Sequence, residues 1–147
     1  MMAKALVIYT TRTNQTKSIA ELIAEGLRMA GVEAVMANVN EVEKKGLKAE
    51  DFDAVVLGSP TYHGEMVQAM KTFLFKLEQA NLEGKVGGAF GAFGWSGEAL
   101  ERIFETMTHI FKMNMVSGPL RLKSAALGGG IQMAQGHGKE VAQKIGA

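Results

Sequence analysis

The sequence predicts one doubly wound α/β domain spanning residues 1–147, a parallel sheet with helices on both faces. Short apolar runs alternate with longer segments whose apolar residues recur at helical spacing, in the order βαβαβαβαβα. The apolar runs are also continuous rather than alternating in and out, the pattern of strands covered on both sides. No linker, repeat or low-complexity tract divides the chain.

The first strand is the run 4–9, ending in Ala5-Leu6-Val7-Ile8-Tyr9. A loop, Thr10 to Thr16, leads into a helix over Lys17 to Ala30, where Ile19, Leu22, Ile23, Leu27 and Ala30 share one stripe and Gly31 supplies the stop. Val32 to Ala37 is the second strand, and Asn38 to Leu47 is polar and loosely helical. Phe52 to Gly58 is the third strand, followed by the loop Ser59 to Gly64. A helix from Glu65 to Glu78 places Met66, Met70, Phe73, Leu74 and Leu77 on one face. The fourth strand opens at Lys85 to Phe90 and runs into Gly91-Ala92-Phe93-Gly94-Trp95-Ser96-Gly97. A fourth helix, Glu98 to Phe111, is apolar at Leu100, Ile103, Phe104, Met107, Ile110 and Phe111. Met115 to Leu122 is the fifth strand, irregular at Gly118-Pro119. A Gly-rich loop at 128–130 precedes a last helix over Gln132 to Ile145.

In such sheets ligands bind beyond the carboxyl ends of the strands, where the strand order reverses. Three loops at that edge are unusual. The loop after the first strand packs four threonines and two amides into seven residues directly before a helix, whose unpaired N–H groups and dipole favour an anion such as phosphate. An ordinary helix cap needs only one such residue. The loops after the third and fourth strands add Tyr62, Trp95 and several glycines, which let a flat ligand approach the backbone. Together they suit a planar heterocycle bearing a phosphate.

Those residues resemble the flavodoxins, of the short kind without an insertion in the fifth strand, over essentially the whole chain. The family phosphate loop reads [Ser/Thr]-x-Thr-Gly-x-Thr; this chain matches at Thr11, Thr13 and Thr16 and departs at Asn14, where glycine is usual. Asparagine is the next most tolerant residue for a left-handed backbone. Ser59-Pro60-Thr61 and the stretch Ala89 to Gly97 resemble the flavodoxin-like domain of flavodiiron proteins. The stretch Pro60 to Met66 is also similar to Pro-Thr-x-Phe-Gly-Asn-Met of NAD(P)H:quinone oxidoreductases related to tryptophan-repressor-binding protein.

The resemblance implies a flavodoxin-like sheet of five parallel strands in the order 2-1-3-4-5 with FMN as cofactor. Thr11, Arg12, Thr13, Asn14, Gln15 and Thr16 would bind the phosphate, although Arg12 is more basic than is usual there and either approaches the phosphate or turns to solvent. Ser59, Pro60, Thr61, Tyr62, His63 and Gly64 would pass one side of the isoalloxazine, and Phe93, Gly94, Trp95 and Gly97 the other. Tyr62 and Trp95 are the candidate stacking rings; each also reads as ordinary partial core. The implied function is electron transfer between redox partner proteins that dock near the flavin edge. The alternative is an FMN-dependent NAD(P)H quinone or flavin reductase. A third class, a module that kept the fold and lost FMN, sits poorly with the intact hydroxyls and aromatics.

Composition bounds the rest. The 147 residues, 47% hydrophobic and 21% charged, suit one ordinary globular core. There are no cysteines, which excludes disulfides, thiolate metal sites and cysteine nucleophiles. No apolar run approaches the ~20 residues of a membrane span, and no charged-then-apolar signal precedes the first strand. The expectation is a cytoplasmic protein. The net charge of +1 departs from the acidic habit of flavodoxins. The basic residues of the C-terminal quarter are dispersed without aromatics between them, so a nucleic-acid partner is not expected. His109 and His137 are not spaced as metal ligands, and neither a GxxxxGK[S/T] loop nor the acidic residues of a phosphorylated-aspartate receiver follow the first strand. Oligomeric state is left open.

Overall fold

The structure, a computed structural model, describes residues 3–10, 15–59, 61–62, 65–66, 68–92, 98–116, 119–122 and 129–146, with residues 15, 61–62, 65–66, 92 and 98–99 described by their backbone. Its strands are β1 (Lys4–Tyr9), β2 (Glu33–Asn38), β3 (Ala54–Gly58), β4 (Thr61–Tyr62), β5 (Glu65–Met66), β6 (Val86–Ala92), β7 (Asn114–Met115) and β8 (Leu120–Leu122). Its α-helices are α1 (Gln15–Met29), α2 (Val39–Val42), α3 (Gln68–Leu77), α4 (Glu98–Glu105) and α5 (Gly130–Ile145). The main sheet runs β2-β1-β3-β6, all parallel, with β7 and then β8 alongside β6. With β7 and β8 counted as one interrupted strand, this is the expected order 2-1-3-4-5. No helix among the described residues is long and apolar enough to cross a membrane.

Alternation along each strand divides the core into two layers. Ala5, Val7, Tyr9, Ala54 and Val56 pack with Ile19, Ile23 and Leu27 of α1 and with Ala134, Val141 and Ala142 of α5. Leu6, Ile8, Val55 and Leu57 point the other way, onto Met70, Phe73 and Leu77 of α3, Leu100 and Ile103 of α4, and Met107 just beyond it. Each fully buried Leu, Ile or Phe contributes roughly 1.5–3 kcal/mol from removal of apolar surface from water. Smaller devices fix the ends. The Asn38 side chain accepts from Asn40 N–H at 3.1 Å, and Glu41 Oε1 accepts from Asn38 N–H at 2.9 Å, a capping box for α2. That backbone bond, with Lys45 second, holds the Glu41 carboxyl below its ordinary range. Asp53 Oδ2 accepts from Lys4 N–H at 2.9 Å and ties the start of β1 to the segment before β3.

Three elements differ from expectation. Glu65 and Met66, read as the start of a helix, form β5 and pair antiparallel with β4, Thr61 opposite Met66 and Tyr62 opposite Glu65. Only His63 and Gly64 separate the two strands, the spacing of a tight hairpin, and α3 starts at Gln68. The fourth helix passes into a π turn at Thr106–Ile110, with Phe111 N–H donating to Thr106 O at 3.0 Å. The Thr106 and Thr108 hydroxyls donate to the Arg102 and Phe104 carbonyls, each at 2.7 Å, competing for the oxygens of the normal helical ladder. The wider turn carries Ile110 off the apolar face, leaving it 56% exposed. Finally, the fifth strand is broken before Pro119, which has no N–H for the ladder. Gly31 does end α1, at φ 88°, a left-handed position that suits glycine.

Close backbone approach joins α1 to α5. A Cβ on Gly26 would lie 2.1 Å from the Gln135 carbonyl oxygen, and one on Gly138 would lie 2.2 Å from that of Ile23. Both obstacles are backbone. Replacing Gly138 by Ala should therefore destabilise the protein by about 1–3 kcal/mol in urea titration. Helix propensity alone predicts the opposite sign, a gain of roughly 1 kcal/mol, so a stabilised Gly138→Ala variant would refute the crossing.

His137 of α5 is 6% exposed and reaches the sheet over Gly88, where a Cβ would stand 2.7 Å from its Nε2. That nitrogen has no hydrogen-bond partner among the described residues. Burial pushes the imidazole down to about 4, against a smaller opposite pull from Glu140. The folded state thus binds fewer protons than the unfolded state between pH 6.5 and about 4, and stability falls as pH falls through that window. The loss should approach roughly 3 kcal/mol. Denaturation of His137→Gln across the same range should show a shallower slope; an unchanged slope would place the titration elsewhere.

Candidate functional site

The site is set by where the strands stop. Tyr9, Gly58, Phe90 and Leu120 stand level across β1, β3, β6 and β8. One residue further, Thr10 N–H donates to Gly58 O at 3.0 Å and Ser59 N–H to Phe90 O at 3.3 Å. This is the carboxyl edge of the sheet, and β1 and β3 lie either side of the point where the order reverses. The helix that leaves β1 packs on one face, while α3 and α4 pack on the other. Two adjacent strands whose connections diverge leave a crevice between them.

Buried polarity collects in that crevice. Thr10, Thr16 and Ser59 are all buried, and apart from His137 they are the buried polar side chains among the described residues. The Thr10 and Thr16 hydroxyls find no hydrogen-bond partner among those residues. A buried hydroxyl left unpaired costs about 1–3 kcal/mol. Two at one edge, one of them in the first turn of α1, form a ready place for an acceptor such as a phosphate oxygen. The first turn of α1 carries no acidic side chain to oppose an anion. Tyr9, just before Thr10, has its phenol raised above the ordinary range, by burial first and then by Glu41 and Glu21, so it stays neutral.

Glycines strip the neighbouring positions of side chains. A Cβ on Gly58 would meet the Phe90 ring at 2.3 Å, and one on Gly91 would meet the Ser59 carbonyl oxygen at 2.6 Å. The β4–β5 hairpin follows Ser59 and lies against α4, so it stands as a rim beyond the end of β3.

Of the residues read from sequence, the structure brings Thr16 and Ser59 to this edge, with the backbone of Gln15, Thr61 and Tyr62 beside them. Thr11, Arg12, Thr13, Asn14, Pro60, His63, Gly64, Phe93, Gly94, Trp95 and Gly97 lie outside the described residues. Thr10, read from sequence as part of the anion loop although it precedes the family loop pattern, is buried at this edge as well. Its signal was position: a hydroxyl residue immediately after a wholly buried strand. Among the described residues no three His, Cys, Asp or Glu side chains converge as metal ligands do.

Comparison with known proteins points the same way. The family model described as a flavodoxin domain matches residues 6–123. A flavodoxin of Clostridium saccharobutylicum is 34% identical over 88 residues, covering 59% of this chain and 54% of that protein. The type A flavoprotein fprA of Rhodobacter capsulatus is 28% identical over 147 residues, covering 95% of this chain and 33% of that one. The chain thus spans about half or less of these curated relatives. A solved flavodoxin from the domain Archaea superposes with a TM-score of 0.90 at 30% identity, covering 98% of this chain and 99% of that one.

The orphaned hydroxyls give a direct test of the edge. Thr10→Val and Thr16→Val keep the shape and remove a buried unpaired group. Each ligand-free variant should equal the parent in urea stability or exceed it by up to about 1 kcal/mol. A loss larger than that would mean the hydroxyl is already partnered in the free protein.

Proposed function

The chain belongs to the flavodoxin domain family, and from that premise we propose that it binds FMN at the β1/β3 edge and carries electrons between redox proteins that dock over the flavin edge. FMN is the cofactor of this family. The observation that carries the reading is the pair of buried hydroxyls of Thr10 and Thr16, without a partner among the described residues, at the switch point of the sheet. Flavodoxins are themselves the standing example of the rule that ligands sit there in a 2-1-3-4-5 sheet.

In this reading, the residues from Thr11 to Thr16, joined by Thr10, hold the phosphate through hydroxyls and backbone N–H groups. Ser59 to Gly64 flank one side of the ring system with Tyr62 as a stacking candidate; Phe93 to Gly97 flank the other with Trp95. Each stacked ring adds roughly 0.5–1.5 kcal/mol beyond its area burial. Bound FMN supplies one- and two-electron redox chemistry. The protein's part is to bind, orient and partly cover it, and to leave one edge open to a partner. The protein works in the cytoplasm on this reading, and a chain without cysteine needs no oxidising compartment.

The reductase reading rests on the similarity of Pro60 to Met66 to the quinone oxidoreductase stretch. The near-complete match in extent to an archaeal flavodoxin favours the carrier.

Purified protein should bind FMN and quench its fluorescence. Thr16→Val should weaken binding roughly ten- to a hundredfold, the value of a hydrogen bond to a charged group. Titration with a reductant should proceed in two resolved one-electron steps, with only slow oxidation of NADH or NADPH. Failure to quench FMN would sink the cofactor assignment, while rapid NAD(P)H turnover with quinones would replace the carrier by the reductase.

A further inference from the structure

β2 is an edge strand: β1 pairs along one side of it, and no described strand pairs along the other. Alternation decides which backbone groups that open side carries. Glu33 N–H donates to Ala3 O at 2.9 Å, so Glu33, Val35 and Ala37 turn their N–H and C=O groups toward β1. The outward groups are those of Ala34, Met36 and Asn38. Such a row is a ready template for another strand. Here two of its members are already taken by side chains. Arg28 Nη2, from the last turn of α1, donates to Ala34 O at 3.0 Å. Asn38 N–H donates to Glu41 Oε1 at 2.9 Å, and Lys45 Nζ lies 3.5 Å from the other oxygen of that carboxylate. Met36, midway between them, makes no such bond among the described residues.

We propose that Arg28 and Glu41 close the β2 edge to strand addition, and that the strand they exclude is β2 of a second copy. Register selects that occupant. An antiparallel copy related by a two-fold axis at Met36 sets Met36 opposite Met36 and Ala34 opposite Asn38 of the other chain. This register uses all three outward residues. Its flanking bonds run from Asn38 N–H of one copy to Ala34 C=O of the other. Those are the two groups that Glu41 and Arg28 hold, so each guard denies one half of the same bond and symmetry denies it twice. Moving the axis to Val35 or Ala37 pairs Met36 with Ala34 or with Asn38, and still needs one of the two. A blocked acceptor at Ala34 and a blocked donor at Asn38 face each other when the strand meets its own reversed copy. The guards come from the helices on either side of β2 in sequence, which gives the α2 capping box a second role. The β2 edge lies away from the crevice between β1 and β3, so the inference is independent of the cofactor reading.

Amide hydrogen exchange and sedimentation equilibrium of the full chain test this. In the parent, Asn38 N–H should exchange at least about tenfold more slowly than Met36 N–H, although both face outward. The parent should stay monomeric up to millimolar concentration. The double variant Arg28→Ala/Glu41→Ala should dimerise at least about tenfold more tightly than the parent, since symmetry counts each change twice. Its Ala34 and Met36 N–H groups should then exchange more slowly as concentration rises. Each single variant should fall between parent and double. Glu41→Gln in the Arg28→Ala background keeps an oxygen for Asn38 N–H, and should weaken the dimer relative to the double alanine variant. Near-UV circular dichroism like the parent's identifies the associating species as folded. A double variant that folds and stays as monomeric as the parent, or one that associates without slowing Met36, would overturn the proposal. So would a parent that already dimerises, or one whose Met36 N–H is as protected as that of Asn38. The exchange result on the parent decides the matter even where the double variant does not fold.

Discussion

The complete burial of β1 is the constraint on which the other elements depend. Residues 5–9 have no exposed side chain, and the strand lies between β2 and β3 with helices above and below. Its backbone groups must therefore be paired on both sides, and each side chain must belong to one of two layers. Those requirements set the register of β2 and β3 and divide the helices, α1 and α5 from α3 and α4. They also bring β1 and β3 together as neighbours whose chains depart to opposite faces. The crevice at the carboxyl edge is what that arrangement leaves, and the first residues beyond it are the hydroxyls of Thr10 and Ser59.

The second constraint is the scarcity of side-chain volume along β6. Its sequence, Val86 to Ala92, contains three glycines and two alanines around a single Phe. Each gap is filled from elsewhere. A Cβ on Gly87 would collide with Met115 Sδ at 2.6 Å and come within 3.2 Å of Met107 and Met113, so three methionines occupy that space. Met115, partly buried, thus fills core space beside β6. On the other face Gly88 admits His137. Gly91 allows the Ser59 backbone to close in. The flexible thioethers suit an irregular gap, whereas the imidazole brings an unsatisfied nitrogen into the core and makes stability depend on pH.

These features were legible in the sequence to different degrees, for physical reasons. Burial on both faces writes a continuous apolar run, so Ala5 to Tyr9 and Ala54 to Gly58 were plain. The beginning of α3 was not, because Met66 falls in phase with Met70, Phe73 and Leu77 although it belongs to a strand; period alone cannot distinguish a helix turn from a two-residue strand. The π turn was hidden likewise. Ile110 continues the stripe of Ile103, Phe104 and Met107, and the widened turn shows only in the bond from Phe111 N–H to Thr106 O. At the site, the threonine-rich loop suits an anion on its sequence alone. That the Thr10 and Thr16 hydroxyls are both buried and without a partner among the described residues depends on β3 and α1 closing around them, which no local pattern encodes. The aromatic positions, Tyr62 and Trp95, rest on the resemblance.

Charge frames how such a protein selects what it touches. A net charge of +1 gives little long-range field to steer a partner, so recognition falls to short-range shape and apolar contact. The β4–β5 hairpin stands at the carboxyl end of the domain, and a groove beside Phe75 and Ile110 lies along α3 and the π turn. Helix α4 serves both. Its beginning lies against the hairpin, and its last residues pass into the π turn that exposes Ile110. Between them Leu100 and Ile103 are buried against the sheet and anchor the helix. A π turn at the end of such an anchored helix alters the surface locally: it brings Ile110 out to solvent while the buried part of α4 keeps the geometry at the carboxyl edge.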